Sequence, residues 1–401
     1  MAAYAWLVTQ AWRSRMTTAL GVGLVTLALS ACGGPKGEAH ARTVHLDSGG
    51  TVEAGVVLYD GLDEGVAEEV HAQLARIITF FDAGFGVSVP EFTVYLVKES
   101  DTLEGVFKDV TGFRLDGGTC FAGPGPAIFL VDGPCRSDGS LVLEHEYFHL
   151  LQIHMAGFGD GREGFRRARG PLWLLEGMAD YAEALYRAEV GPRTYEELRD
   201  QNAFAVASWA GTLETTGDQI FAESYVLGFL AVDLLVQRAG EEALLDYYRS
   251  ISTGLRWREA FSSVFGIGVD EFYEEFERHR AENRPPFHTI SGSVVGPRGD
   301  GLRRIGLVAI SSDGAYSSYS LTVADGGFVI AVPAEGWYAI AIYPPPTSAC
   351  TMIGWYEEDA GFAVSGGATY IEVRGGDVEG ITVRLPDAWW ELEPIEHCAE
   401  E

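Results

Sequence analysis

The chain has 401 residues and a formal net charge of -30, with 47% hydrophobic and 21% charged residues. This composition is typical of a folded globular protein, and it excludes a disordered or fibrous chain. The acidic balance argues against nucleic acid as a partner, and the length predicts two folded domains.

The N-terminus has the pattern of an export signal. Arg13 and Arg15 precede an apolar run over residues 16–31, which is too short and wrongly flanked for a stable transmembrane helix. The run ends in Leu-Ser-Ala, and Cys32 follows with two glycines. This order resembles the lipobox of bacterial lipoproteins, which implies cleavage before Cys32 and a lipid on it. We expect residues 1–31 to be a signal peptide and 32–42 a tether at the bacterial cell envelope; an ordinary signal peptide is the alternative.

Residues 43–285 predict an α+β domain. Apolar residues at helical spacing over 63–82 predict an amphipathic helix, and strands follow at 92–97 and 127–131. Together these elements indicate a small mixed sheet with helices. A helical half follows, with segments at 140–155, 172–190, 194–201, 221–239, 241–252 and 269–283. Because the strands come first and the helices after, the order favours α+β over alternating βαβ units.

Four cysteines follow Cys32, and outside the cytoplasm an even number favours disulfides. Three pairings are possible. Proximity in the sequence favours Cys120 with Cys135 and Cys350 with Cys398.

The strongest chemical signal is His145-Glu146-Tyr-Phe-His149 in an apolar helical segment. Histidines at i and i+4 lie one turn apart on one helix face, where both imidazoles can bind a single ion. The glutamate between them lies on the adjoining flank, within reach of a water molecule on the metal. The spacing predicts a zinc site with His145 and His149 as ligands and Glu146 as the catalytic base.

A catalytic zinc takes three protein ligands, so a third is needed. Glu176 is the best candidate, because a carboxylate in so apolar a helix needs a compensating charge. Glu144 and Glu183 are weaker candidates for the third ligand, because neither combines the apolar setting with an independent helix. Asp180 follows one turn after Glu176 and could accept the free ring N–H of a liganding histidine. A surface acid is an equal interpretation of Asp180.

The first motif, together with Trp173-Leu-x-Glu176-Gly-x-Ala-x-Tyr181, resembles the gluzincin metallopeptidases. The resemblance implies a thermolysin-like catalytic domain, Glu176 as third ligand and hydrolysis of peptide bonds in a peptide or protein substrate. It also suggests Tyr225 as the oxyanion donor, although a core aromatic residue is an equal interpretation. The 26 residues between His149 and Glu176 exceed the usual gap, and the Gly-rich stretch 157–170 explains the excess as a loop.

After Pro286 the composition changes to short β-branched and aromatic runs between turn residues. Seven strands are predicted over 286–386, at 289–295, 305–310, 319–323, 327–332, 337–343, 369–373 and 381–385, followed by a tail over 387–401. This all-β sandwich resembles carboxypeptidase regulatory-like modules.

Two other functions remain open from the sequence. One is an inactive surface lipoprotein that binds protein or carbohydrate through the sandwich, for which Glu146 would have no chemical use. The other is a gluzincin that acts on a small aminoacyl or epoxide substrate, for which no amine-binding acidic motif precedes residue 140. The sequence does not indicate an oligomeric state.

Overall fold

The computed structural model describes most of the chain after residue 36. The described residues are 23–25, 37–115, 120–123, 126–133, 135–137, 140–157, 169–207, 209, 211–216, 222–313, 317–333, 335–343, 351–364, 367–387, 389 and 395–396. The lipidation of Cys32, the pairing of Cys350 with Cys398 and most of the loop over 157–170 lie outside this part. Two compact units form: Met1–Tyr195, Gly217–Ile220 and Ala231–Glu274 make the first, and Glu196–Thr216, Phe221–Leu230 and Glu275–Glu401 the second.

A six-stranded mixed sheet forms the N-terminal part of the first unit, in the order β1-β2-β3-β4-β6-β5. Its strands are β1 Gly23–Val25, β2 Glu38–His45, β3 Thr51–Leu58, β4 Glu91–Val97, β5 Cys120–Ala122 and β6 Ala127–Val131. Strands β3, β4 and β6 run parallel, whereas β5 is antiparallel to β6 and ends the sheet on that side. Strand β1 falls within the expected signal peptide and pairs with β2.

Two predictions for this region need correction. The expected tether over 32–42 is shorter, because β2 begins at Glu38 and forms a hairpin with β3 around Gly49, whose φ is +89°. The expected absence of βαβ units is also wrong for the sheet. Helix α1, Glu64–Phe85, links β3 to β4, and helix α2, Ser100–Thr111, links β4 to β6. Parallel neighbours require such crossovers.

The helical part follows the short strands β7 Arg136–Ser137 and β8 Ser140–Leu141. Its helices are α3 Leu143–Ala156, α4 Leu172–Val190, α5 Tyr195–Ala205, α6 Leu213–Thr216, α7 Ala222–Ala239, α8 Ala243–Ser252, α9 Trp257–Phe265 and α10 Val269–Glu282. Helix α3 packs against α4 and α8 as well as α1. Among the described residues, no helix is long and apolar enough to cross a membrane.

The C-terminal part of the second unit consists of two main sheets. One has the order β11-β10-β13-β15 with β16 also paired to β13, and the other has the order β12-β9-β17. The strands are β9 His288–Val295, β10 Gly306–Ser311, β11 Ser317–Leu321, β12 Gly327–Val332, β13 Gly336–Tyr343, β14 Thr351–Met352, β15 Gly354–Trp355, β16 Ile371–Val373, β17 Val378–Arg384 and β18 Ile395–Glu396. Apolar residues of both sheets form one buried cluster, which includes Ile290, Ile330, Leu307 and Ile340. Each of the seven predicted strands is present.

Candidate metal centre

Helix α3 presents the motif to one side because its apolar residues fix the other side. Tyr147 and Phe148 are fully buried, and both lie within 6 Å of the Phe81 ring of α1, measured between ring centroids at 5.9 and 5.7 Å. The hydroxyl of Tyr147 accepts a hydrogen bond from the backbone N–H of Val89 at 3.3 Å. The packing of these two rings sets the rotation of α3, and His145, Glu146 and His149 therefore lie towards helix α4.

Helix α4 begins directly after Gly170 and Pro171, where the extended Pro171 is the N-cap. Its first turn is buried, and the indole of Trp173 stacks on Phe272 at 5.9 Å between ring centroids and donates to the Tyr273 hydroxyl at 3.2 Å. This packing fixes the start of the helix, and one turn later it places Glu176 opposite the two histidines.

Three ligand atoms converge between α3 and α4. Glu176 Oε2 lies 3.1 Å from His149 Nε2 and 3.4 Å from His145 Nε2, and the two Nε2 atoms are 3.1 Å apart. The side chains of His145, His149 and Glu176 are only 11%, 12% and 13% exposed. The structure thus brings together the three ligands that the sequence predicts.

The site attracts positive charge. Burial opposes the charging of His145, but hydrogen bonds to Asp180, Glu176 and Glu183 outweigh it and raise its pKa well above the usual value. Burial likewise opposes the charging of His149, and the Glu176 carboxylate outweighs it and raises that pKa. The pKa of Glu176 is held far below its usual range, because the two histidines outweigh the effect of its burial.

Glu146 is buried beside the three ligands, with an exposed fraction of 4%. Its Oε2 atom has no hydrogen-bond partner among the described residues. Burial raises the pKa of Glu146, while the two histidines and a hydrogen bond from the backbone N–H of Ala122 in β5 lower it in part. A carboxyl group with a raised pKa and a free oxygen is suited to accept and return a proton.

Behind His145 lies a network of acids and one arginine. His145 Nδ1 is 3.1 Å from Asp180 Oδ1 and 3.2 Å from Glu183 Oε2. Arg187 Nη2 lies 2.9 Å from Glu183 Oε1, and Arg187 Nε donates to Glu144 Oε1 at 3.0 Å. The contact expected from Asp180 is present, but Glu183 shares it. Burial opposes the ionisation of Glu183, and His145 and Arg187 outweigh it and lower its pKa.

His149 has a neutral partner instead. Its Nδ1 lies 2.7 Å from Oε1 of Gln152, a residue that the sequence analysis did not single out. The signal was available in the sequence, since an amide three residues after a liganding histidine lies on an adjoining helix face.

Tyr225 lies in α7 within the second compact unit and is partly buried. Because the metal centre belongs to the first unit, the predicted oxyanion role of Tyr225 stays a prediction.

The residues present fit a zinc ion. Two imidazole nitrogens and one carboxylate oxygen are the ligand set of many catalytic zinc sites, which keep a fourth position open. A tetrahedral ion with bonds of about 2.0–2.1 Å separates its ligand atoms by about 3.4 Å. The spacings of 3.1–3.4 Å measured here agree with that value. His145, Asp180 and Glu183 form a second group with metal-ligand spacing, but it shares His145.

A model of the collagenase family of peptidases matches residues 137–278. This segment contains all three predicted ligands and Glu146, and the likeness supports the prediction of a metallopeptidase with a zinc cofactor. No curated protein matches the chain.

Solved structures give weaker likenesses. An M1 zinc metallopeptidase from Deinococcus radiodurans is 18% identical, with a TM-score of 0.41, and the match covers 67% of this chain and 63% of that one. Aminopeptidase A of Legionella pneumophila in complex with aspartic acid is 14% identical, with a TM-score of 0.38, covering 79% of this chain and 40% of that one. This chain therefore spans less than two thirds of the length of either structure.

Proposed function

We propose that this protein is a zinc-dependent peptidase of the gluzincin type. The convergence of His145, His149 and Glu176 beside the buried Glu146 carries the proposal. The likeness of residues 137–278 to collagenases supports peptides as the substrate class.

The residues have distinct roles in this reaction. His145, His149 and Glu176 would hold zinc, which supplies activation of water and polarisation of the substrate carbonyl when bound. Glu146 accepts a proton from the attacking water and delivers it to the leaving nitrogen. Asp180 and Glu183 orient His145 through its Nδ1 atom.

The position of β5 supports an extended peptide as substrate. This strand ends the sheet, and the backbone N–H of Ala122 at its end reaches Glu146. An extended peptide can pair with such an outermost strand through main-chain hydrogen bonds. A peptide bound in this way would pass beside the catalytic base.

Substitution of the base tests the mechanism. Glu146→Gln should abolish peptide hydrolysis and keep one zinc per chain, because it removes the proton acceptor and leaves the ligands in place. Glu189→Gln, the same change at an exposed position of α4, is the matched control and should keep full activity. Peptide-library cleavage by the three proteins measures the outcome, and full activity of Glu146→Gln would refute the mechanism.

We also propose that the mature protein is anchored to a bacterial membrane by a lipid on Cys32. The proposal rests on the sequence at residues 13–34. Fractionation of cells that express the wild type or Cys32→Ser tests it: the wild type should sediment with membranes, and the variant should not. A variant that remains in the membrane fraction contradicts the proposal.

A further inference from the structure

A buried glutamine connects the two helices that carry the metal ligands. Gln152 lies in the last two turns of α3, three residues after His149, and its exposed fraction is 0%. Its Oε1 atom is 2.7 Å from His149 Nδ1, and its Nε2 atom donates to the backbone carbonyl of Leu175 in α4 at 2.9 Å.

The Leu175 carbonyl fixes the orientation of this amide. A carbonyl oxygen only accepts hydrogen bonds, so the NH₂ group of Gln152 must face Leu175, and its Oε1 must face His149. Because Oε1 is also only an acceptor, Nδ1 of His149 must carry the proton. The lone pair of the neutral ring is then on Nε2, the atom that lies 3.1 Å from Glu176 Oε2. One backbone carbonyl thus selects the tautomer of His149 that can bind a metal.

The same bond fixes the position of α4. Leu175 immediately precedes Glu176, so the hydrogen bond from Gln152 holds α4 to α3 one residue from the ligand. A bond at this place restrains both the separation of the helices and the rotation of α4. Both quantities determine whether the Glu176 carboxylate reaches the two histidines.

We propose that Gln152 is a positioning residue that sets the tautomer of His149 and holds Glu176 in reach of the ion. The proposal rests on the zinc site of the proposed function. It makes the two histidines unequal: two carboxylates orient His145, and one neutral amide orients His149.

Metal affinity tests the proposal. Gln152→Met has a similar volume but neither hydrogen bond, and it should weaken zinc binding by about 10- to 100-fold in competition with a chelator. Gln152→Glu keeps an acceptor for His149 Nδ1–H but loses the donor to the Leu175 carbonyl, so it should recover only part of this affinity. The cobalt-loaded protein gives a second readout, because the absorption bands of the ion should shift in Gln152→Met and return towards the wild type in Gln152→Glu.

Tyr147→Phe is the matched control. It removes a buried hydrogen bond from the same helix, on the side that faces away from α4. It should lower the melting temperature without changing the zinc affinity or the cobalt spectrum. If the role of Gln152 were purely structural, Gln152→Met would likewise lower the melting temperature and leave the zinc affinity and the cobalt spectrum unchanged.

A folded Gln152→Met protein with wild-type zinc affinity and a wild-type cobalt spectrum would overturn the proposal and leave the proposed function intact. If Gln152→Met does not fold, Gln152→Asn decides, since its amide is one methylene shorter and should also lose affinity; wild-type affinity in that variant overturns the proposal. Wild-type protein that binds no zinc would refute both the positioning role and the proposed function.

Discussion

Arg187 contacts two acids behind the metal centre. Its guanidinium group contacts Glu144, which is 3% exposed, and Glu183. Arg187→Met should lower the free energy of unfolding by roughly 2–4 kcal/mol, because a buried carboxylate without its partner is costly and Arg187 is itself partly exposed. Urea denaturation measures the loss.

The double variant Arg187→Met/Glu144→Met removes both charges and should recover part of the lost stability. The geometry indicates that these ion pairs stabilise the protein. If Arg187→Met unfolds at the same urea concentration as the wild type, they do not.

His71 gives the first unit a pH-dependent stability. It is 4% exposed, and its Nε2 lies 3.2 Å from the Ala54 carbonyl oxygen. Burial lowers the pKa of His71, and the nearby Arg42 also lowers it, whereas the Ala54 carbonyl and Glu68 raise it. As the pH falls below the unfolded-state value of about 6.5, the unfolded chain binds a proton that the native protein does not. The stability that the neutral His71 contributes is fully present above that pH and is lost as the pH falls.

His71→Gln should therefore show a smaller loss of stability than the wild type between about pH 7 and pH 5, measured by urea denaturation at each pH. Identical curves for wild type and His71→Gln would contradict the assignment.

Among the residues of the site, spacing alone predicted that His145, Glu146 and His149 lie close together, since a helix of known period fixes their relative directions. The prediction of Glu176 as a ligand also needed the apolar character of its helix and the resemblance to gluzincins. The roles of Gln152, Glu183 and Arg187 were not predicted, because they depend on the rotation and separation of α3 and α4. Those quantities result from packing of aromatic residues distant in the sequence, such as Phe81 and Phe272.

At the level of elements, the start of α4 depends on Gly170. Its φ is +84°, and an added Cβ would lie 2.6 Å from the Tyr247 hydroxyl. Gly170→Ala should cost about 1 kcal/mol for the left-handed backbone and about 1–3 kcal/mol more for the close contact. Gly266 has a φ of +69° and nothing within 4 Å of an added Cβ, so Gly266→Ala measures the backbone cost alone.

Thermal unfolding of the two glycine variants measures the difference. Equal losses would mean that Tyr247 moves aside without cost.

The disulfide between Cys120 and Cys135 joins β5 to the segment before α3, over a separation of 15 residues. A closed loop of this size stabilises a protein by about 3 kcal/mol, mainly by restricting the unfolded chain. Cys120→Ala/Cys135→Ala should lose about that much stability in urea. A thiol reductant should destabilise the wild type more than this variant, and an equal response would contradict a bond between these two cysteines.

The elements that periodicity predicted well are the strongly apolar ones, such as α3, α4, β6 and the seven longer strands β9–β13, β16 and β17. The hairpin of β2 and β3 was missed because small and polar residues alternate in β2, where His40 and Arg42 occupy partly buried positions. Helix α2 was missed because only Leu103, Val106 and Phe107 are buried in it. The mixed α+β character was predictable. The parallel order of the sheet was not, because it depends on the two elements that were missed, the β2–β3 hairpin and helix α2.

At the scale of the whole molecule, the net charge of -30 should make stability depend on salt. Like charges repel in the compact state, and added ions screen this repulsion. The melting temperature should rise by a few degrees, on the order of 1 kcal/mol of stability, between about 10 mM and 0.3 M sodium chloride. The described ion pairs on the surface are weak and should not reverse this trend.

Differential scanning fluorimetry in sodium chloride measures the effect, with sucrose as an uncharged control. A fall in melting temperature with salt would show that attractive pairs dominate over the net charge.

The support of both histidines also ties metal capture to the packing of α3 on α4. Gln152 and His149 belong to one helix, but the Leu175 carbonyl of α4 fixes the direction of the Gln152 amide. The partners of His145 come from α4 as well, so this ring is oriented only when the two helices are packed together. A protein whose helices have partly separated would thus lose the fixed direction of both rings together with the third ligand. Loading of the ion and docking of α4 should then occur as one event, and release should accompany separation of the helices.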